Sequence, residues 1–518
     1  MKRGVLVAFT LLFFAAFLNF RGIDREKYEN DEALWILQGQ KYWPLFSSGQ
    51  WDRREWSDFD SSWGSPNPPV AKYCLGFALS VQHVRWKWDG NRPPGPVLVA
   101  ARRPSAIAGI LGCAGILLIG LLSLPQRAAF YSTLFLATSP VWISASRHAM
   151  TDVYAATLAI WSVVPFLLGL KEMEGKGRAG IVLAWMGLAG IFAGLAVGAK
   201  LNAASTPAAL GLVLLILFGR DLLLRRARRE AGLLLICGIL FTVAAAGTFV
   251  LVNPYLHPDP LGRFSEMIGW WTKLTAQRAG SADEWKLNAF LPQQEGVRVF
   301  FGKLAMLPKS ISFLLLLPLG AALLARRRST GTSPATARLV AWMLLLAAAV
   351  VLGVWPNQIL HPWLLWFGCL CAVLSLALFT RASRQPIRLS GFAVVVWGVV
   401  SAFFVWRMTF IPWLRYYMPA VPALSLLAGY GLEALREDLR FAAGTWPARL
   451  IDVAVICSAL SVAVAFPDYG AARMQKMSEA GGTGILVGLI IVSLAAAVVA
   501  SWIQARNAQG TTARSRPA

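Results

Sequence analysis

The chain reads as an all-α polytopic membrane protein, and three observations carry that reading. Of its 518 residues, 57% are apolar and only 14% charged, whereas soluble domains carry about a quarter charged residues. Apolar windows of roughly twenty residues, the length a helix needs to cross a bilayer, recur from one end to the other. The 49 Lys+Arg and 26 Asp+Glu, a net charge of +23, follow membrane sidedness instead of gathering in one patch. In a soluble protein such an excess would suggest nucleic acid. In a polytopic one it first retains cytoplasmic loops. A soluble, disordered or fibrous chain is excluded.

The windows predict about 12 to 14 transmembrane helices. The first, Gly4–Phe20, follows Lys2 and Arg3 and lacks a small-residue cleavage site, so it reads as an uncleaved anchor with its N-terminus inside. Later spans fall near 104–124, 128–146, 152–170, 179–199, 203–219, 231–252, 307–325, 339–355, 363–380, 390–406, 417–433, 450–466 and 484–503. With that orientation the inside segments hold 24 Lys+Arg, about half of the total, and the alternation holds through every span. Two outer loops, 21–103 and 253–309, are too long to be connectors, and long ordered loops are commonly functional. Seven of the 22 Trp lie in the first, where a headgroup belt accounts for most of them. The pairs Trp86/Trp88 and Trp270/Trp271 suit amphipathic helices on the outer leaflet.

Five of the six cysteines fall inside apolar spans, and no CxxC site, GxGxxG loop, Walker A motif or HExxH is present. An ATP-driven pump is thereby disfavoured. Four histidines offer no ligand spacing.

The chemistry-bearing residues gather at the outer ends of the spans. Asp31 and Glu32 open an apolar-periodic segment (Leu34, Ile36, Leu37). They fit helix capping or, for an acid partly desolvated at an interface, a general base. After Asn67-Pro68-Pro69, Lys72 begins a new element, as a snorkelling lysine or a phosphate partner. The very short outer turn from Ser146 to Asp152 carries Arg147 and Asp152 five residues apart. Ionisable groups at that depth need a partner or a function. Gly194 and Gly198 permit close helix packing before Lys200 and Asn202 emerge outside. An outward lysine there needs a partner, and a lipid phosphate is one. Arg415 and Tyr416 could grip a phosphate bidentately and donate a hydroxyl, or belong to the interfacial belt. Together these are the groups a reaction on a lipid-linked phosphate requires: a carboxylate for an acceptor hydroxyl and cations for the departing phosphate. A transporter or flippase of lipid-linked sugars would predict internal repeats and broken spans with polar groups near the midplane. No clear repeat is present, and the ionisable groups sit at span ends. A non-catalytic assembly factor would tolerate loss of Asp31 and Asp152 together.

The order Asp31-Glu32, Asn67 to Lys72, Arg147 to Asp152, Gly194 to Asn202 and Arg415 to Pro422 resembles the protein O-mannosyltransferase and aminoarabinose-transferase group. These are GT-C glycosyltransferases that use polyprenyl-phosphate sugars, and the resemblance covers roughly 1–435. It implies a GT-C-type catalytic module over 1–435, with a C-terminal transmembrane pair and short tail at 436–518. It implies inverting transfer of a sugar from a polyprenyl-phosphate donor to a hydroxyl acceptor, at the outer face of a plasma membrane. Asp31 would be the base, with Glu32 beside it. Asp152 would place acceptor or sugar. Lys72, Lys200, Arg415 and Tyr416 would contact the donor phosphate, with Arg147, Asn202 and Asn67 supporting. Where the family often has His before the Pro pair, this chain has Asn67. Some relatives carry a divalent metal, for which His257 is the candidate here. Membrane lipids, the lipid-linked donor and a hydroxyl acceptor would be its partners, and nucleic acid would not.

Overall fold

A computed structural model of the chain describes residues 2–51, 67–88, 92–175, 177–223, 228–257, 259–280, 389–408, 418–443, 445–457 and 459–460. Among them there is no strand. In order, the helices are α1 (Lys2–Phe20), α2 (Asn30–Ser47), α3 (Val70–Val81), α4 (Gly95–Ser123), α5 (Gln126–Thr138), α6 (Pro140–Arg147), α7 (Thr151–Glu174), α8 (Ala179–Ala199), α9 (Ser205–Leu223), α10 (Arg228–Leu251), α11 (Pro260–Gly280), α12 (Leu389–Met408) and α13 (Val421–Ala443). Five helical segments, at 95–123, 151–174, 179–199, 201–219 and 231–251, are long and apolar enough to cross a membrane. The expected all-α polytopic class is borne out. The spans expected at 307–325, 339–355, 363–380 and 484–503 lie outside the described residues.

The chain divides into two compact units. In the first unit, 1–124, 136–296 and 389–423, α7 packs on α8, α8 on α10, α4 on α7, α2 on α3 and α9 on α12. Small residues explain the closest of these approaches. Gly190 and Gly194, four apart on one face of α8, meet the backbone of α10 at Phe241 and Ala245, where a Cβ would collide. Backbones meet there as small-residue interfaces in membranes do. Gly76 of α3 lies on the carbonyl of Gly39 in α2 in the same way.

Side-chain hydrogen bonds tie the apolar helices further. Thr157 donates to the Ala108 carbonyl (2.8 Å), Trp142 Nε1 to the Gly109 carbonyl (3.1 Å) and Trp397 Nε1 to Thr206 Oγ1 (3.0 Å). Leu6, Phe9 and Phe13 of α1 remain exposed, as a lipid-facing stripe requires.

Two local features differ from the sequence expectation. The window at 128–146 is two helices, broken at Ser139-Pro140, because proline lacks the donor that would continue α5. And α4 begins at Gly95, with Pro96 in its first turn, nine residues before the expected span. Arg102 does not end the apolar segment because its charge is matched, as described below.

In the second unit, 125–135, 297–388 and 424–518, α13 and a helix over 445–457 are joined by an ion pair at Arg436, which also meets Glu433 of its own helix. Arg436 reaches Asp452 at 3.0 Å and Glu433 at 3.9 Å, and the Tyr131 hydroxyl donates to Asp452. Gly429 lies against Ser132, whose hydroxyl donates to the Ala128 carbonyl.

Candidate active site at the N-terminal end of helix 7

Glu32 organises this end of the first unit. It is fully buried and takes Arg102 through both oxygens, from Nε at 2.8 Å and Nη2 at 2.7 Å. It also accepts the backbone N–H of Glu29 at 3.1 Å and of Ala149 at 2.9 Å. The first of these is the reach-back of a capping box, so the capping role expected of the Asp31–Glu32 pair falls on Glu32. The second joins the start of α2 to the α6–α7 turn, three residues before Asp152. Arg102 completes the joint by donating to the carbonyls of Ile23, Glu26 and Lys27. Beside it, Arg147 at the C-terminal end of α6 pairs with Glu26 at 3.2 Å, both side chains buried. His148 bridges the Ser144 and Lys27 carbonyls through its two ring nitrogens. Asp31 follows in the first turn of α2, half-buried where Glu32 is sealed. Burial, with the charges of Glu32 and Asp31 added, holds the Tyr28 phenol above its ordinary pKa.

Asp152 lies in the first turn of α7 and is buried. Its Oδ1 accepts Lys200 Nζ at 2.6 Å, with the lysine side chain 15% exposed and the aspartate 2%. Lys200 sits in extended backbone between α8 and a short 3-10 turn, Leu201–Ala204, that carries Asn202. Asp152 and Asn202 line one narrow cleft with Ala155, Thr206, Trp397 and Met418.

Lys72, in the first turn of α3, is 1% exposed and donates to the Asn67 carbonyl at 2.8 Å. Its ammonium lies 4.9 Å from the Tyr42 ring centroid and 5.8 Å from that of Trp35. Burial first, and then the charge of Lys41, hold its pKa well below the ordinary lysine value. The N-terminal end of α3 comes to the C-terminal end of α8, where Val70 packs against Gly198. Tyr73 ties α3 to the Val252 carbonyl, just past α10, at 3.1 Å.

The structure thus brings Asp31, Glu32, Arg147, Asp152, Lys200, Asn202, Asn67 and Lys72 to helix ends linked by these contacts. Arg415 and Tyr416 lie outside the described residues. Sequence reasoning missed Arg102, Glu26 and the cleft walls Thr206, Trp397 and Met418. A signal existed for Arg102, a charge followed at once by an apolar span, which needs a partner.

His257 does not fit a metal. Its Nε2 lies 3.2 Å and 3.3 Å from the Val250 and Leu251 carbonyls, and its ring meets the edge of Trp51. Among the described residues no group of three or more His, Cys, Asp or Glu is placed to hold an ion.

Residues 94–247 match the family described as dolichyl-phosphate-mannose-protein mannosyltransferase. This match bears out the GT-C glycosyltransferase resemblance and the enzyme class expected from the sequence. The matched segment contains Arg102, Arg147, Asp152, Lys200 and Asn202, but not the acids of α2 or Lys72. No curated protein matches the chain. Among solved structures, the chain is similar to ArnT from Cupriavidus metallidurans bound to undecaprenyl phosphate, at 16% identity over 98% of this chain and 78% of that one, with a TM-score of 0.43. It is also similar to the S. cerevisiae protein O-mannosyltransferase Pmt1-Pmt2 complex bound to the sugar donor, at 16% identity over 50% and 34%, TM-score 0.40. A third is the oligosaccharyltransferase AglB from Archaeoglobus fulgidus in complex with an inhibitory peptide and a dolichol-phosphate, at 11% identity over 94% and 56%, TM-score 0.45. At these scores the weight rests on the family match and on the chain's own residues.

Proposed function

We propose that this glycosyltransferase moves a sugar from a polyprenyl-phosphate donor to a hydroxyl acceptor at the outer face of a prokaryotic plasma membrane, with its N-terminus inside. The observation that carries the reading is the joint made by Glu32. By holding the Ala149 N–H it ties the first turn of α2, which carries Asp31, to the turn that leads into Asp152, with cationic Lys200 on Asp152 itself. Asp31 is the half-exposed acid of that group, and we assign it as the general base. It takes the proton of the acceptor hydroxyl as that oxygen attacks the anomeric carbon. The carbon–oxygen bond to the lipid phosphate breaks on the opposite face, so configuration inverts.

The negative charge that develops on the leaving phosphate is met by Lys200 and Lys72, with Arg415 and Tyr416 proposed alongside them. Such preorganised cations act where charge builds up. Asp152 and Asn202 place the reacting groups along the cleft.

Asp31→Asn tests the base. Transfer from a radiolabelled polyprenyl-phosphate sugar in purified membranes should fall about 10²–10⁴-fold, with Tm unchanged. Near wild-type transfer by this variant removes the assignment. Sugar movement across vesicles without product would instead favour a flippase.

A further inference from the structure

Arg102 and Arg103 are neighbours on α4 with opposite surroundings. Arg102 is buried on Glu32. Arg103 is exposed, and its Nη1 donates to Gln82 Oε1 at 3.2 Å. It heads a stripe on one face of α4 in which Ile107, Leu111, Leu118 and Leu121 are all exposed. On a membrane span such a stripe faces hydrocarbon. From Arg103 to the end of α4 at Ser123 is about 30 Å at 1.5 Å per residue, the thickness of the hydrocarbon core, so the guanidinium stands at headgroup level.

Gln82 brings two more cations to that level. It ends α3, whose Phe77 and Val81, four apart on one face, are exposed. Its Nε2 donates to the Ala100 carbonyl of α4 at 3.0 Å. His83, in the left-handed region at φ 54°, then turns the chain out of α3. Beyond it burial alternates as in an extended segment: Trp86 is buried, while Arg85 and Lys87 are exposed. Trp88 is exposed and edge-on to Trp86 at 5.7 Å, as tryptophan sits among headgroups. From Val70 to Arg103 the chain carries six Lys+Arg and one acid, Asp89, and only two of the six, Lys72 and Arg102, are buried. Among the described residues no carboxylate pairs with Arg85, Lys87 or Arg103.

We propose that Arg85, Lys87 and Arg103 form a binding surface for the headgroup of an anionic phospholipid. Guanidinium groups take phosphate oxygens bidentately, and the lysine adds a compact charge. The acyl chains lie along Phe77, Val81, Ile107 and Leu111. A zwitterionic lipid presents the same phosphate with a cation of its own, which this unbalanced positive surface repels. None of these residues lines the cleft at Asp152, so the surface is separate from the candidate active site.

Native mass spectrometry of the full-length protein released from detergent tests it, with phosphatidylglycerol and phosphatidylcholine of matched acyl chains as probes. Wild type should take its first phosphatidylglycerol at least fivefold more tightly than its first phosphatidylcholine. Arg85→Gln/Lys87→Gln/Arg103→Gln should bring that ratio below twofold by weakening phosphatidylglycerol alone. Where the triple variant fails to fold, Arg85→Gln/Lys87→Gln, which keeps the Arg103–Gln82 bond, should at least halve the ratio. Arg85→Lys/Arg103→Lys, which keeps the charge, should keep the preference. A wild type without preference, or neutral variants with the ratio unchanged, would overturn the proposal. Binding of undecaprenyl phosphate that falls in the triple variant as far as that of phosphatidylglycerol would also overturn it, by assigning the surface to a polyprenyl phosphate.

Discussion

Two acid–base pairs in the first unit have nearly the same bond length and opposite designs. Arg102–Glu32 closes at 2.7 Å with both side chains at most 1% exposed. Every donor direction of the guanidinium is used, on Glu32 and on three carbonyls, while Glu32 also takes two backbone N–H groups. Lys200–Asp152 closes at 2.6 Å, but the lysine keeps 15% exposure and the aspartate faces a cleft. Distance does not separate an anchor from a working pair. What separates them is access: a charge pair sealed on all sides within the protein offers nothing to a ligand, whereas an ion pair that keeps some exposure and borders a cleft lies where a ligand can reach it.

The sharpest way to break the comparison is to remove one member of the saturated pair. Arg102→Met leaves the Glu32 carboxylate buried without its counter-charge. Breaking such a pair costs about 3–5 kcal/mol, enough to unfold a marginal protein. Thermal unfolding in detergent should show a large loss of Tm, with transfer activity lost in parallel. If Arg102→Met stays stable and inactive, the pair belongs to the chemistry and the anchor reading fails.

Lys200→Gln should do the reverse. Glutamine still donates to Asp152, so the stability loss should stay near the worth of one charged hydrogen bond, about 1–3 kcal/mol. Transfer should fall at least tenfold while the protein stays folded, read as single-turnover rate beside Tm. A loss of Tm as large as that of Arg102→Met, with no separate activity loss, would make the two pairs equivalent.

Much of this end was legible in the sequence because its signals are local. The 3.6-residue apolar period placed spans such as 179–199, and α8 covers Ala179–Ala199. The turn from Arg147 to Asp152 was conspicuous because two charges stand where lipid headgroups begin. Lys200 was recognisable as a lysine in need of a partner, but the partner in the structure is Asp152, 48 residues earlier. Pairing at that separation leaves no local trace. The same holds for Arg102, whose acid lies 70 residues away. It read as the end of a loop because its burial depends on a residue in another helix. Lys72 likewise read as a snorkelling lysine or a phosphate partner, since nothing nearby shows that Tyr42 and Trp35 stand over its ammonium. The cleft was not legible for the same reason: it needs α7, the Leu201–Ala204 turn, α9 and α12 together.

The smallest effect belongs to a pair with similar geometry and none of the burial. Arg263 and Glu266, three apart on α11, approach to 3.1 Å with side chains 31% and 55% exposed. Glu266 also accepts the Tyr255 hydroxyl at 2.9 Å, and Arg263 lies over the Tyr255 ring at 5.3 Å. Water competes for both charges, and exposed pairs contribute about 0–1 kcal/mol. Arg263→Ala should therefore shift Tm slightly, through lost packing on Tyr255 as much as through lost charge. Transfer rate should remain at the wild-type value. That outcome, set beside Arg102→Met and Lys200→Gln, would order the three pairs by how completely protein replaces water around the charge. A loss of transfer in Arg263→Ala without loss of Tm would instead extend the working surface from the cleft onto α11.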